Sequence, residues 1–212
     1  VATSLALSTQ PAGAVSGLAF TTQPVVEIRD NANLKVAGGT SAVTVVLASG
    51  SGALSGTATV NAVNGAATFT GLKIAGAGSH TLTFSSGTLT ATTSNSVTVT
   101  QVAASLAITT QPAGAVSGIA LTTQPVVEIR DNANLRVLGG TTSLTVSITS
   151  GTGVLSGATT VNAVDGVVAF TGLKIAGSGA HTVTFSATGL TPAAAGSLVV
   201  TQTAVALALT QQ

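Results

Sequence analysis

"ALSGTATVNAVNGAATFTGLKIAGAGSHTLTF" runs from Ala53 to Phe84. Apolar residues alternate there with Thr and Ser in short runs, and Gly or Asn-Gly separates the runs. A period of two puts alternate side chains on opposite faces of an extended chain, which predicts half-buried strands. No helical period lasts long enough to compete. Asn64-Gly65 supplies two residues tolerant of positive φ where a tight hairpin turn needs them, and Asp165-Gly166 does the same further along.

Working outward, the alternation predicts strands over Leu5–Thr9, Leu18–Thr22, Val25–Arg29, Val43–Ala48, Leu54–Val60, Ala66–Thr70, His80–Ser85 and Ser96–Thr100. Short strands at this spacing are the pattern of a β-sandwich. Parity assigns the faces. Val26 and Ile28 point inward and Glu27 and Arg29 outward, while His80, Leu82 and Phe84 share an inward face with Phe69 beside them.

The whole pattern then repeats. "TTQPVVEIRDNANL" begins at Thr21 and again at Thr122, and "FTGLKIAG" at Phe69 and again at Phe170. "TAVALALTQQ", from Thr203 to Gln212, lies over the opening "VATSLALSTQ". Internal repeats define the folding unit. The expected organisation is all-β: two tandem sandwiches, 1–101 and 102–202, plus one extra C-terminal strand at 203–212.

These stretches, with "VVEIRDNANLKV" (Val25–Val36) and "SNSVTVT" (Ser94–Thr100), resemble the bacterial immunoglobulin-like domain of the invasin and intimin type. The resemblance covers both repeats almost end to end. It implies Ig-like sandwiches that serve as stalk and spacer units of cell-surface adhesins and secreted fibres. Two departures stand out. The turn after Asp30 reads "NANL" without Gly, and His80 and His181 replace the Tyr of a "G-x-Y-x-L" strand, whose hydroxyl would reach the sandwich corner.

Composition removes most function classes. Charged residues make up 5% of the chain and the net charge is +1, against about 25% charged residues in ordinary soluble proteins. There is no basic patch for nucleic acid. Thr and Ser interrupt every apolar run well short of the roughly 18 residues a membrane span needs, so no membrane insertion is expected. The chain has no Cys, Met, Trp or Tyr. Disulfides and thiolate sites are therefore excluded, and lacking an initiator Met the chain reads as processed or excised from something longer.

Catalysis needs convergent titratable groups, and the two histidines stand one per repeat. They read as structural corner residues, so no catalytic residue, cofactor or hydrolase, transferase or redox activity is expected. "RDNAN" (Arg29–Asn33 and Arg130–Asn134) has two readings. One is a calcium loop, although a single carboxylate is few for that ion. The other is an Asx-type turn with no metal. Glu27 and Arg29 read as a surface ion pair. The five Phe sit mostly at inward parity, which argues against a sugar-binding platform, and the Thr-x-Thr pairs read as solvated strand faces rather than an ice-binding array.

Outward positions carry Thr, Ser, Ala and Val. "SLALST", "AVTVVLAS" and "NSVTVT" look like unprotected strand edges without charge, where edges are ordinarily guarded by Lys, Pro or a bulge. Self-association, head-to-tail and lateral, is one expectation; O-glycosylation of the Thr/Ser surface is another. No Asn-x-Ser/Thr acceptor is present. The junction "VTVTQVAASLAIT" (Val97–Thr109) has no Gly, Pro or charge, which points to a stiff connection. In the tail, Val205, Leu207 and Leu209 share one face and need cover. Either 203–212 opens a third repeat, or it adds as a strand to another subunit. The leading expectation is a structural subunit of an extracellular bacterial filament, sheath or fibre. The alternative is the stalk of a surface adhesin whose binding tip, with any glycan or host receptor it takes, lies elsewhere.

Overall fold

The structure, a computed structural model, describes residues 1–204. The chain divides into two compact units: Val1–Val102 with Asp131–Leu135, and Ala103–Arg130 with the residues from Arg136 onward. Val205, Leu207 and Leu209 lie outside the described residues.

Unit 1 contains β1 (Ala2–Thr9), β2 (Ala14–Val15), β3 (Val25–Asp30), β4 (Ala42–Ser49), β5 (Ala53–Ser55), β6 (Thr59–Asn61), β7 (Ala66–Thr68), β8 (Lys73–Ala75), β9 (Gly78–Ser85), β10 (Thr92–Thr93) and β11 (Val97–Thr100). One sheet has the order β1-β3-β7, and the facing sheet β2-β11-β9-β4-β6, with β10 beside β9. The pairing of β1 with β3 is antiparallel and that of β2 with β11 is parallel. The first strand thus crosses from one sheet to the other, as in an Ig-like sandwich.

Unit 2 repeats the plan with β12 (Ala103–Thr110), β13 (Val126–Asp131), β14 (Ser143–Ser150), β15 (Val154–Ser156), β16 (Thr160–Asn162), β17 (Val167–Ala169), β18 (Lys174–Ala176), β19 (Gly179–Ser186), β20 (Ala193–Ala194) and β21 (Leu198–Val200). A single parallel bridge between Val116 and Thr201 stands where unit 1 has β2. The all-β, Ig-like expectation holds.

The faces follow parity. Val26, Ile28, Leu82, Phe84 and Phe69 are fully buried, and so is His80. Phe69 and Phe84 meet edge-on with centroids 5.3 Å apart; Phe170 and Phe185 meet at 5.1 Å. Such a pair adds roughly 0.5–1.5 kcal/mol beyond the area it buries. Both hairpin turns form as expected, with φ of 50° at Asn64 and 51° at Asp165.

Two expected strands are corrected. Leu54–Val60 is not continuous: it breaks into β5, paired with β8, and β6, paired with β4. Gly56 makes the break. Its φ is 103°, and a Cβ there would lie 2.3 Å from the Gly71 carbonyl oxygen. Leu18–Thr22 is not a ladder strand either, and touches its neighbours through single bridges at Ala19 and Thr22. A side chain holds it instead. Gln23 Nε2 donates to the carbonyls of Phe20 and Leu72, and Gln23 Oε1 accepts the Leu72 N–H. Gln124 makes the same three bonds to Leu121 and Leu173. Pro24 and Pro125 follow and have no N–H to offer a ladder.

Candidate functional site

The "RDNANL" loop leaves the end of β3. Asp30 Oδ1 accepts the N–H groups of Ala32 and Leu34, both at 2.9 Å. Asn33 closes the turn with φ 60°, donating its N–H to the Asp30 carbonyl at 3.0 Å. Of the two sequence readings, the Asx-type turn describes this arrangement: the carboxylate oxygen a cation would need is engaged by two backbone donors. Among the described residues no three His, Cys, Asp or Glu side chains gather as a metal site. EDTA should accordingly leave the melting temperature unchanged, as followed by circular dichroism, and calcium should not raise it. A large fall restored by calcium would return the loop to the calcium reading.

The outward pair does more than decorate the surface. Arg29 bridges to Glu27, both half-buried, and its other terminal nitrogen donates to the Asn33 carbonyl at 2.6 Å. The guanidinium therefore straps the Asx turn to the sheet, which sequence spacing alone could not reveal. Glu128 and Arg130 pair likewise at 2.6 Å. In unit 2 the hairpin Asp165 also bonds Arg136 at 3.2 Å and accepts the Gly139 N–H at 2.7 Å.

Asp131–Leu135, the second copy of the turn, belongs to unit 1. Asp131 Oδ1 accepts the N–H groups of Ala133 and Leu135 at 2.9 Å, and its Oδ2 accepts Gln101 Nε2 at 2.9 Å. The residue is 3% exposed. Burial raises its pKa, but the Gln101 amide, the Leu135 N–H, the Ser16 hydroxyl and the Ala133 N–H together outweigh that and hold the carboxyl below its ordinary value.

The histidines are corner residues, as expected. His80 and His181 are buried, and each Nδ1 faces a backbone carbonyl two residues back, Gly78 at 2.9 Å and Gly179 at 3.0 Å. His181 Nε2 accepts the Gly153 N–H at 2.9 Å, so Nδ1 carries the proton and donates. An imidazole thus makes, with two backbone groups, the kind of corner bond a Tyr hydroxyl would make. The Gly pair opposite was legible only as turn residues, yet it is what makes room. A Cβ at Gly151 would lie 2.4 Å from the ring, and one at Gly153 2.5 Å.

The outer surface of the β2-β11-β9-β4-β6 sheet carries no charge. None of the six basic and five acidic residues lies in these strands or their unit 2 counterparts. Hydroxyls pair across strands instead: Thr44 with Thr59, Ser49 with Thr81, Thr83 with Thr93 and Ser79 with Ser96, at 2.7–3.0 Å. Unit 2 repeats this with Thr145–Thr160 and Thr149–Thr184. Cross-strand pairs of this kind stabilise a sheet. The edge assignment needs correcting, because "AVTVVLAS" is β4 and "VTVT" is β11, both interior to their sheet. Of the three stretches only β1 is an edge, and its Leu5 N–H already donates to the Thr90 carbonyl. All five Phe are at most 3% exposed, so none forms a platform for a sugar. No helix among the described residues is long and apolar enough to cross a membrane.

No family model matches the chain, and no curated protein does. Solved structures do. The chain is similar to domain pairs of intimin. Its likeness to the D00-D0 domain of intimin has a TM-score of 0.49 at 15% identity, over 93% of this chain and 98% of that one. For the D0-D1 domain of intimin the TM-score is 0.36 at 19% identity, covering 94% and 98%. Domains 5-6 of the S-layer protein SbsC give 0.34 at 19% identity, covering 96% and 99%. At these identities the likeness is one of fold alone, and nothing further rests on it.

Proposed function

We propose that this chain is a structural segment of an extracellular bacterial filament, sheath or fibre, and that it associates with copies of itself. The observation that carries the reading is the uncharged, hydroxyl-paired outer sheet surface, present in both units. Pairing satisfies these hydroxyls within the surface itself. Removing such a surface from water is far less costly than desolvating Lys or Glu. Val46 on β4 and Val199 on β21 stand more than half exposed on it. A surface of this kind favours lateral contact between like copies.

Negative-stain microscopy of the purified chain tests this: regular filaments or bundles are expected, and Thr83→Lys with Thr184→Lys should disperse them. Discrete particles from the unmodified chain would instead favour the stalk of an adhesin. The tail enters the same reading, with Val205, Leu207 and Leu209 proposed to be covered by another subunit. Deleting residues 203–212 should stop end-to-end growth while circular dichroism shows both units still folded. Unchanged filaments from the truncated protein would remove the tail as a connector.

A further inference from the structure

Asn64 and Asp165 occupy the same position in the two repeats. Each opens the two-residue tip of its hairpin, with φ of 50° and 51°, and each is exposed. Gly follows both, at φ of 76° and 73°. A Cβ on Gly65 would collide with the Val36 carbonyl oxygen, and one on Gly166 with that of Val137. The turn therefore demands Gly at its second position. At its first it needs a residue that accepts positive φ, of which Asn and Asp are the usual choices.

That demand makes Asn64 reactive. A main-chain amide nitrogen can attack the carboxamide carbon of the preceding Asn, and the ring closes fastest where no side chain crowds the nitrogen. The chain has eight Asn, and Asn64 alone precedes Gly; the other seven precede Ala, Leu or Ser. The Gly65 N–H donates to the Gly39 carbonyl at 2.9 Å. Attack therefore waits on local opening of the exposed tip, a far smaller event than unfolding the unit.

Unit 2 displays a carboxylate at this position. Asp165 bonds Arg136 at 3.2 Å and accepts the Gly139 N–H at 2.7 Å. Lys35 and Gly38 are the matching residues of unit 1. Lys35 stands against its hairpin as Arg136 does: the Cγ of each would lie 3.2 Å from a Cβ on the hairpin Gly.

We propose that Asn64 is a site of spontaneous deamidation, and that the carboxylate formed there takes the Lys35 ammonium and the Gly38 N–H. The Gly65 nitrogen gives up its proton and bonds to Asn64 Cγ, ammonia leaves, and a succinimide results. Water then opens the ring. Attack at Cγ yields the aspartyl chain. Attack at the main-chain carbonyl yields the isoaspartyl chain, whose extra backbone carbon disturbs the bonds from Gly65 to Gly39 and from Ile28 to Gly65. Either product lowers the net charge by one, from +1 to zero. The reaction does not depend on self-association.

Storing the full chain at mildly alkaline pH, followed by tryptic peptide mapping, tests the site. Cleavage after Lys35 and Lys73 isolates Val36–Lys73, and Val137–Lys174 serves as the internal control. The first peptide should gain the mass that replacing an amide NH2 with a hydroxyl brings, placed at Asn64 by fragmentation and at least about tenfold faster than at any other Asn. An unchanged Val36–Lys73, or an earlier gain at another Asn, would overturn the site. Asn64→Asp tests the contacts. This variant should melt about 1–4 °C above the parent, the range of an exposed ion pair. In a Lys35→Gln background at least half of that rise should be lost. A variant no more stable than the parent, or a rise that survives Lys35→Gln in full, would overturn the pairing.

Discussion

Replacing His181 with Ala should lower the stability of unit 2 by about 3–5 kcal/mol. The ring is buried, so its removal leaves a cavity, and the neighbours relax only in part. It also strands two polar groups, the Gly153 N–H and the Gly179 carbonyl, which lose their 2.9 and 3.0 Å partners. For a unit of this size the expected fall in melting temperature exceeds roughly 10 °C. Gly151→Ala should approach the same loss by the opposite route. Its φ is 99°, and the added Cβ would sit 2.4 Å from the imidazole. Combining the two changes should cost less than their sum, since the alanine methyl then occupies space the ring has left. A His181→Ala protein melting within a degree or two of the parent would show that the corner is not a structural element.

Asp131→Ala should destabilise the protein by about 3 kcal/mol, and Asp30→Ala by about 1–2 kcal/mol, although the two turns are identical in sequence. Both aspartates accept two backbone N–H groups. Asp131 alone also accepts from Gln101, in a site from which water is excluded. Loss of a buried acceptor strands its donors, whereas donors around the more exposed Asp30 turn to water. The acid limb separates the two further. The carboxyl of Asp131 is held below its ordinary value of 3.8, so its charged form is favoured in the fold. That contribution is complete above the ordinary value and is lost as the pH falls through the lower folded one. The gap in stability between the parent and Asp131→Asn should therefore be constant from pH 7 to about pH 5 and shrink on further acidification. Equal losses at the two positions, or a gap independent of acid, would contradict the environment described for Asp131.

Much of this was readable from local pattern. Alternation placed Val26, Ile28, Leu82 and Phe84 inward because period two is a property of the extended chain itself. Asn64-Gly65 announced its hairpin and Asp30 its Asx turn, since each depends on the conformational range or reach of a residue and its immediate neighbours. The histidines read correctly as corner residues from their strands, which His80 shares with Leu82 and Phe84 and His181 with Val183 and Phe185. Where the reading failed, the deciding contact was distant. Leu54–Val60 alternates well enough for one strand, but Gly71 presses on Gly56 and splits it. Nothing in the local pattern marks Gln23, because two of its three bonds go to Leu72, far along the chain.

The sequence by itself determined an all-β chain of repeated Ig-like sandwiches, the inward face of each strand, and a surface nearly without charge. These follow from backbone geometry and side-chain chemistry, which every residue carries with it. Only the tertiary structure decided that β4 and β11 are interior strands, that Gly151 and Gly153 are small because His181 lies over them, and that Arg29 straps its own loop. It also decided that the aspartate of one "RDNANL" turn, Asp131, is buried while Asp30 of the other is only partly so. Identical residues acquire different energies because burial and hydrogen bonding depend on what the chain brings beside them, and local sequence holds no record of that.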